Sequence, residues 1–246
     1  MKNLSGKILL GLQLVIAIAS VLAGYLLWRE PSNYVHFLGT ILLYSIYTCL
    51  GGTILLHRIM SHCHSVSPVV KKLLSLLTVP MVSGSPLGWA LVHRTHHRYQ
   101  DTEKDPHSPL FKSRLWIHFL AITYVPTNTR LVIDLLGDRF QIKLHKAYVS
   151  LCTLWVFGLL LILPLDIYCY YVALPSFLTW HAGSSINSFG HSRKRLSPIN
   201  RPFLSFFTFG EGSHANHHDY PRSLRFNSKS ILDLGGVLLE RLKKYA

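Results

Sequence analysis

The sequence predicts an all-α integral membrane protein: four transmembrane helices in two hairpins, with a cytoplasmic helical cap that carries a histidine-rich di-metal site. Three observations predict it. Apolar runs of spanning length come in two pairs, Lys and Arg fall almost wholly on one side of those runs, and nine of the 15 histidines lie in four groups at metal-ligand spacing.

The 246 residues fit one domain, 1–246. A hydrophobic share of 49% against 15% charged is unusual for a water-soluble domain, and a mean hydropathy of +0.28 agrees. Spanning a bilayer core takes roughly 20 residues of helix. Runs at about 8–28 and 35–56 supply the first hairpin, and runs at about 148–165 and 167–186 supply the second, parted by little more than Pro164 and Asp166. Any one of them would serve as a buried core helix in a soluble protein. Four together, with so few charges to cover them, favour spans. The first run is long for a signal peptide and has no small-residue cleavage site before Arg29, so it is read as a retained span.

The net charge is +14, and its distribution says more than its sum. With four spans, Arg29 is the only Lys or Arg in the two short outer loops, and the other 24 of 25 share a side with both termini. By the positive-inside rule this side is cytoplasmic, and it holds the cap, 57–147 and 187–246. Membrane lipid or an acidic protein fits such a face better than nucleic acid, for which no RNA-binding motif with interleaved aromatics is present. Cys49, Cys152 and Cys169 fall in the runs and Cys63 on the reducing side, with no CxxC or disulfide framework.

Within the cap, 69–92 is apolar enough to resemble a fifth span, but Lys71, Lys72, Pro80 and the breaker run Ser83-Gly84-Ser85-Pro86 oppose one. Parity decides: a crossing there would put His57 and His62 across the bilayer from His93. The expectation is a short interfacial helix, a turn, and a helix from about Ser85. Residues 130–146 read as an amphipathic basic helix along the headgroups, 192–202 as a basic loop, and 230–242 as a short helix with one apolar face. There is no internal repeat, low-complexity tract or linker to a second domain.

His93, His96 and His97 stand at i, i+3 and i+4, which share one face of a helix and point away from Arg94 and Thr95. The spacing recurs at His214, His217 and His218. His57 and His62 are five apart, about 140° round a straight α-helix, so the chain must turn inward beyond His57 to bring both to one place. His191 follows Asn187 by four residues. Nine histidines at six or fewer per ion imply two metals, and imidazole suits iron, zinc and copper. There is no HExxH, and only 11 acidic residues are present. A pair of irons in such a neutral ligand set keeps a high positive charge, which suits binding and reducing O₂ better than hydrolysis. A metal-binding membrane transporter is the alternative of another class. Its ligands would lie at the bilayer midplane, where only His181 falls, and that residue is read as hydrogen-bonded between helices.

His57-Arg58-Ile59-Met60-Ser61-His62, His93-Arg94-Thr95-His96-His97, Asn187-Ser188-Phe189-Gly190-His191 and Gly210-Glu211-Gly212-Ser213-His214-Ala215-Asn216-His217-His218 resemble the histidine boxes of membrane fatty-acid desaturases. The type is that of acyl-CoA (stearoyl-CoA, Δ9) desaturases in a compact form like bacterial or phage-borne members, and the likeness runs in order from Gly51 to Pro221. Asp105-Pro106-His107 is similar to the segment after the family's second box. The resemblance implies an oxidoreductase that uses O₂ and two external electrons to place a cis double bond, Δ9 in this type, in a saturated acyl chain. It makes the nine histidines ligands of a non-haem di-iron centre, with Asn187 holding a metal-bound water and no separate protein acid or base. It further implies a bent apolar tunnel, an acyl substrate on CoA, carrier protein or lipid, and a separate electron donor such as ferredoxin or cytochrome b5. A di-iron hydroxylase or ketolase would share the oxidant, but the box spacing favours the desaturase. His64 departs from the pattern, where a basic residue is usual. His107 is expected to support a ligand, and His118 and His145 to be solvated.

Overall fold

A computed structural model describes residues 4–30, 34–192, 194, 197–227 and 232–244, and the described chain is mostly helical. Helix α1 (Leu4–Arg29) carries no charge between Lys7 and Arg29. It buries Leu9, Leu12, Ile16 and Ala23 while Leu14, Ile18 and Val21 stay 61–75% exposed, so it is apolar all round, as a helix facing lipid must be. Helices α2 (Tyr34–Ser61) and α6 (Arg139–Ile162) are also long and apolar enough to cross a membrane. Helix α7, 165–189, runs unbroken through three consecutive segments. It carries Asp166, His181 and several Ser and Thr residues, and does not join those three.

The first part of α2 is an α-helix (Tyr34–Ser45), but its second part, Ile46–Ser61, has π winding. A π-helix bonds i to i+5, so residues five apart come nearly one above the other. The His62 amide accordingly bonds the His57 carbonyl at 3.2 Å. This corrects the expectation that the chain turns just past His57: the helix continues, and its wider winding brings the two histidines to one face.

Helices α3 (Pro68–Met81) and α4 (Pro86–Arg98) form a pair bent by 85°. Ser67 and Ser85 cap their N-termini, each followed by proline at the first helical position. The turn and the helix from Ser85 stand as expected, but the first helix was expected to be interfacial, and its C-terminal end is packed among the long helices. There the freed carbonyls find side-chain partners: Thr78 accepts from Tyr148, Pro80 from Ser176, and Met81 and Val82 from Gln13. A buried non-helical turn is tolerable because protein groups satisfy it. Val82 sits at φ +50° with no exposed surface, a strained position for a β-branched residue that its burial enforces.

The short helix α5 (Arg114–Phe119) and two 3₁₀ turns (Ala121–Thr123, Thr129–Leu135) lead to α6. Residues 139–146 are the first turns of α6, capped by Asp138, rather than a separate helix on the headgroups. Beyond α7, β1 (His191–Ser192) pairs antiparallel with β2 (Ser197–Pro198). Helices α8 (Pro202–Thr208), α9 (His214–Asp219) and α10 (Leu234–Lys244) complete the chain. One apolar cluster joins α1, α6 and α7 around Ile16, Tyr148 and Tyr170. A second joins α2, α4 and α10 around Leu55, Met60, Leu87 and Leu239, and the histidines stand at its end.

Candidate metal centre

The nine histidines of the four boxes converge into two groups. His57, His62, His93, His97 and His217 offer ring nitrogens that all lie within 4.8 Å of one another, and so do His96, His191, His214 and His218. Each HxxHH triplet is therefore divided. On α4 the i, i+4 pair His93 and His97 serves the first group while His96 serves the second; on α9 the pair His214 and His218 serves the second while His217 serves the first. A face wide enough for i, i+3 and i+4 thus spans two adjacent sites. His97 and His218 stack at 4.3 Å and 14° where the groups meet.

The rings turn Nε2 inward. His57 meets His217 and His62 meets His93 at 2.9 Å; His191 and His218 each meet His214 at 3.1 Å. Four rings direct Nδ1 outward to an oxygen acceptor: His57 to Glu211, His96 to Asp105 at 2.8 Å, His191 to Asp101 at 3.2 Å and His218 to Gln100 at 2.7 Å. Such acceptors fix the Nδ1–H tautomer and leave a lone pair on each inward Nε2. Lone pairs facing each other at about 3 Å repel unless a cation lies among them, so the donor set fits two metal ions. Burial, followed by the neighbouring imidazoles, pushes His62 down to about 2, and burial pushes His97 down to about 4. His93, His96, His214 and His217 are also lowered well below the ordinary range, burial again being the first cause. Neutral imidazole is the form that binds metal.

Charged residues that the box spacing did not single out tie the boxes together. Arg58 is fully buried, donates to Glu211 at 2.8 Å and Asp233 at 2.7 Å, and stacks on Phe226 at 3.8 Å. It thus links α2, the loop before α9 and the turn before α10. Burial raises Glu211 to about 7 against the opposing pull of Arg58. Arg94, on the far side of α4 from the imidazoles, donates to the Met60 and Ser61 carbonyls at 2.7 and 2.9 Å and to Asp134. It satisfies the free carbonyls at the end of α2 and so locks the first box to the second. The sequence signal for these groups was only their adjacency: Arg58 follows His57, and Glu211 precedes His214 by three.

A cavity of about 500 Å³ reaches His57, His93 and His214. Leu9, Leu56, Met81, Leu91, Ile117 and Ile122 give it apolar walls, and Asn187 lines it as well. His107 also borders it, pushed down to about 4 by burial, with its ring 5.3 Å from that of His96. His64 stands outside both groups. His118 and His145 were expected in solvent; His145 is exposed, as expected, whereas His118 is half-buried, and both line the cavity. His118 bonds Ser188 at 3.1 Å and His181 at 2.8 Å, and His145 bonds Ser85 at 2.6 Å. Both stretches fold back over the cavity, which their local amphipathic pattern does not reveal.

The family model for fatty acid desaturase matches residues 31–228, which include all four boxes. The chain belongs to the fatty acid desaturase family. It is 30% identical to Delta-9 acyl-lipid desaturase 2 of Arabidopsis thaliana over 193 residues, 72% of this chain and 61% of that one. It is 29% identical to Delta-9 acyl-lipid desaturase 1 of the same plant over 237 residues, 87% and 74% of the two chains. Over 277 residues it is 27% identical to the hex-5-enoyl-(acyl-carrier protein) acetylenase of Moorena producens, 99% of this chain and 85% of that one. The family, the apolar helices and the paired histidine groups agree on a membrane-associated oxidoreductase of the desaturase kind with a metal site.

Proposed function

We propose that the protein is an O₂-dependent fatty acyl desaturase that places a cis double bond, at the Δ9 position, in a saturated chain. The observation that carries this reading is an apolar cavity whose wall includes His57, His93 and His214, members of both histidine groups. The nine histidines would hold two irons, five on one and four on the other, with Asn187, which lines the cavity, able to hold a metal-bound water. When bound, the irons supply the reduction of O₂ and the removal of hydrogen from two adjacent methylenes.

The protein's own part is position and exclusion. Leu9, Leu56, Leu91 and Ile122 offer an alkyl chain no polar partner, so it is held by shape and by the release of water. Trp89 stacks on His93 at 4.9 Å and 12° beside the cavity, fixing the ring that faces the chain. Glu211, Asp105, Asp101 and Gln100 set the orientation of four imidazoles from behind, so little rearrangement is needed on turnover. Electrons come from a separate acidic carrier drawn to the basic face, and both termini lie with the site on the cytoplasmic side of four spans, α7 being the fourth.

Gas chromatography of fatty acids from cells expressing the chain, with derivatisation to locate double bonds, tests the reading. New Δ9 monoenes are expected. Hydroxy acids in their place would assign the related hydroxylase chemistry, and an unchanged profile would reject both.

A further inference from the structure

Helix α8 is inside out for a helix in water. Its polar residues Ser205 and Thr208 are buried against the protein, while Phe203, Phe206 and Phe207 are 74%, 66% and 42% exposed. The three rings form one continuous patch, Phe203 and Phe206 each lying edge-on to Phe207 at 5.2 and 5.1 Å. Contiguous exposed aromatic surface of this kind marks a docking face.

The surroundings say what covers it. Tyr44, on α2, donates to the Phe207 carbonyl and packs its ring 6.3 Å from Phe209. On the same helix Leu38, Ile41 and Leu42 are 60%, 38% and 62% exposed. The phenylalanine patch is thus continuous with the outward apolar surface of a helix long enough to cross a membrane. In sequence α8 is preceded by Arg193, Lys194, Arg195 and Arg201, cations suited to the phosphates of a bilayer surface. Tyrosine beside such a patch is the side chain favoured at the boundary between acyl chains and headgroups.

We propose that α8 is seated in the interfacial layer of the bilayer that α2 crosses, with Phe203, Phe206 and Phe207 among the acyl chains. The seat is directly joined to the metal centre. The Arg201 amide donates to the Gly212 carbonyl at 2.6 Å, and a Cβ on Gly212 would collide with the Arg201 carbonyl and the Ser205 amide. Glycine is therefore required where α8 lies on the loop that carries Glu211 and leads to His214.

The test replaces Phe206 with p-benzoylphenylalanine in the full chain and irradiates it in native membranes. A second variant at Phe203, on the same face, keeps the test readable if one fails to fold. The expected result is an adduct of phospholipid mass at both positions, found by mass spectrometry of the purified protein. Cross-linking to a second copy of the chain, to another protein, or no adduct at either position in folded protein would overturn the proposal. Its failure would leave the desaturase reading intact, since no fatty-acid product is measured.

Discussion

Arg58 is the residue on which the centre's geometry most depends. Its guanidinium compensates two buried carboxylates, so Arg58→Met leaves Glu211 and Asp233 without their cation. Breaking a buried pair from one side costs about 3–5 kcal/mol, which thermal unfolding in detergent should read as a large fall in midpoint. Glu211→Gln is milder, because the amide still accepts from His57 while losing the charge; metal affinity should drop about 10- to 100-fold with the protein folded. The first box has a sharper test. His62 belongs to the five-histidine group and His64 does not. Iron per protein should fall in His62→Ala and hold in His64→Ala; the reverse would show that His64 supplies the nitrogen.

Among the elements, the inserted tip between α3 and α4 departs most from its local sequence. Its carbonyls depend on Gln13, Tyr148 and Ser176, three side chains far away in the chain. Leaving a buried carbonyl unsatisfied costs about 1–3 kcal/mol. Gln13→Leu and Ser176→Ala should each lower the unfolding midpoint, and Gln13→Leu the more, since that amide serves both Met81 and Val82. The effect should reach the centre, because Ser83, Gly84 and Ser85 at the tip share the cavity wall with His93. A normal midpoint in the double variant would show that the tip stands without these bonds.

For the whole molecule, the burial of neutral imidazoles sets the response to acid. His97 is lowered to about 4 and His62 to about 2, against about 6.5 in an unfolded chain. Below 6.5 the unfolded state takes up protons that the folded state refuses. Stability of the metal-free protein is therefore complete above that pH and falls as pH drops toward 4 for His97 and on toward 2 for His62, by about 1.4 kcal/mol per unit for each. Chelation at pH 7.5 should lower the unfolding midpoint first, since bound metal stabilises only the folded form. A metal-free midpoint that is unchanged from pH 7.5 to 5 would contradict the burial. Topology is a further molecular property: cysteines introduced at Lys72 and Lys112 should react from the same, cytoplasmic side, and labelling from opposite sides would separate the first two boxes.

The sequence by itself determined the residue set and its class. Histidines at i, i+3 and i+4 must share a helix face, and apolar runs of this length must be helical, so nine histidines and a helical membrane protein were legible from local rules. Which histidine joins which group was not. That depends on how α4 and α9 approach each other, and each helix divides its triplet between the two sites. The spacing of His57 and His62 looked wrong for one face because the period assumed was that of an α-helix; π winding of α2 made it right. The pairings of Arg58, Glu211 and Asp233 were not legible for the same reason: Glu211 is 154 residues from His57 and Asp233 is 175 from Arg58. Only the folded chain makes them neighbours, because no local periodicity records a contact formed between distant helices.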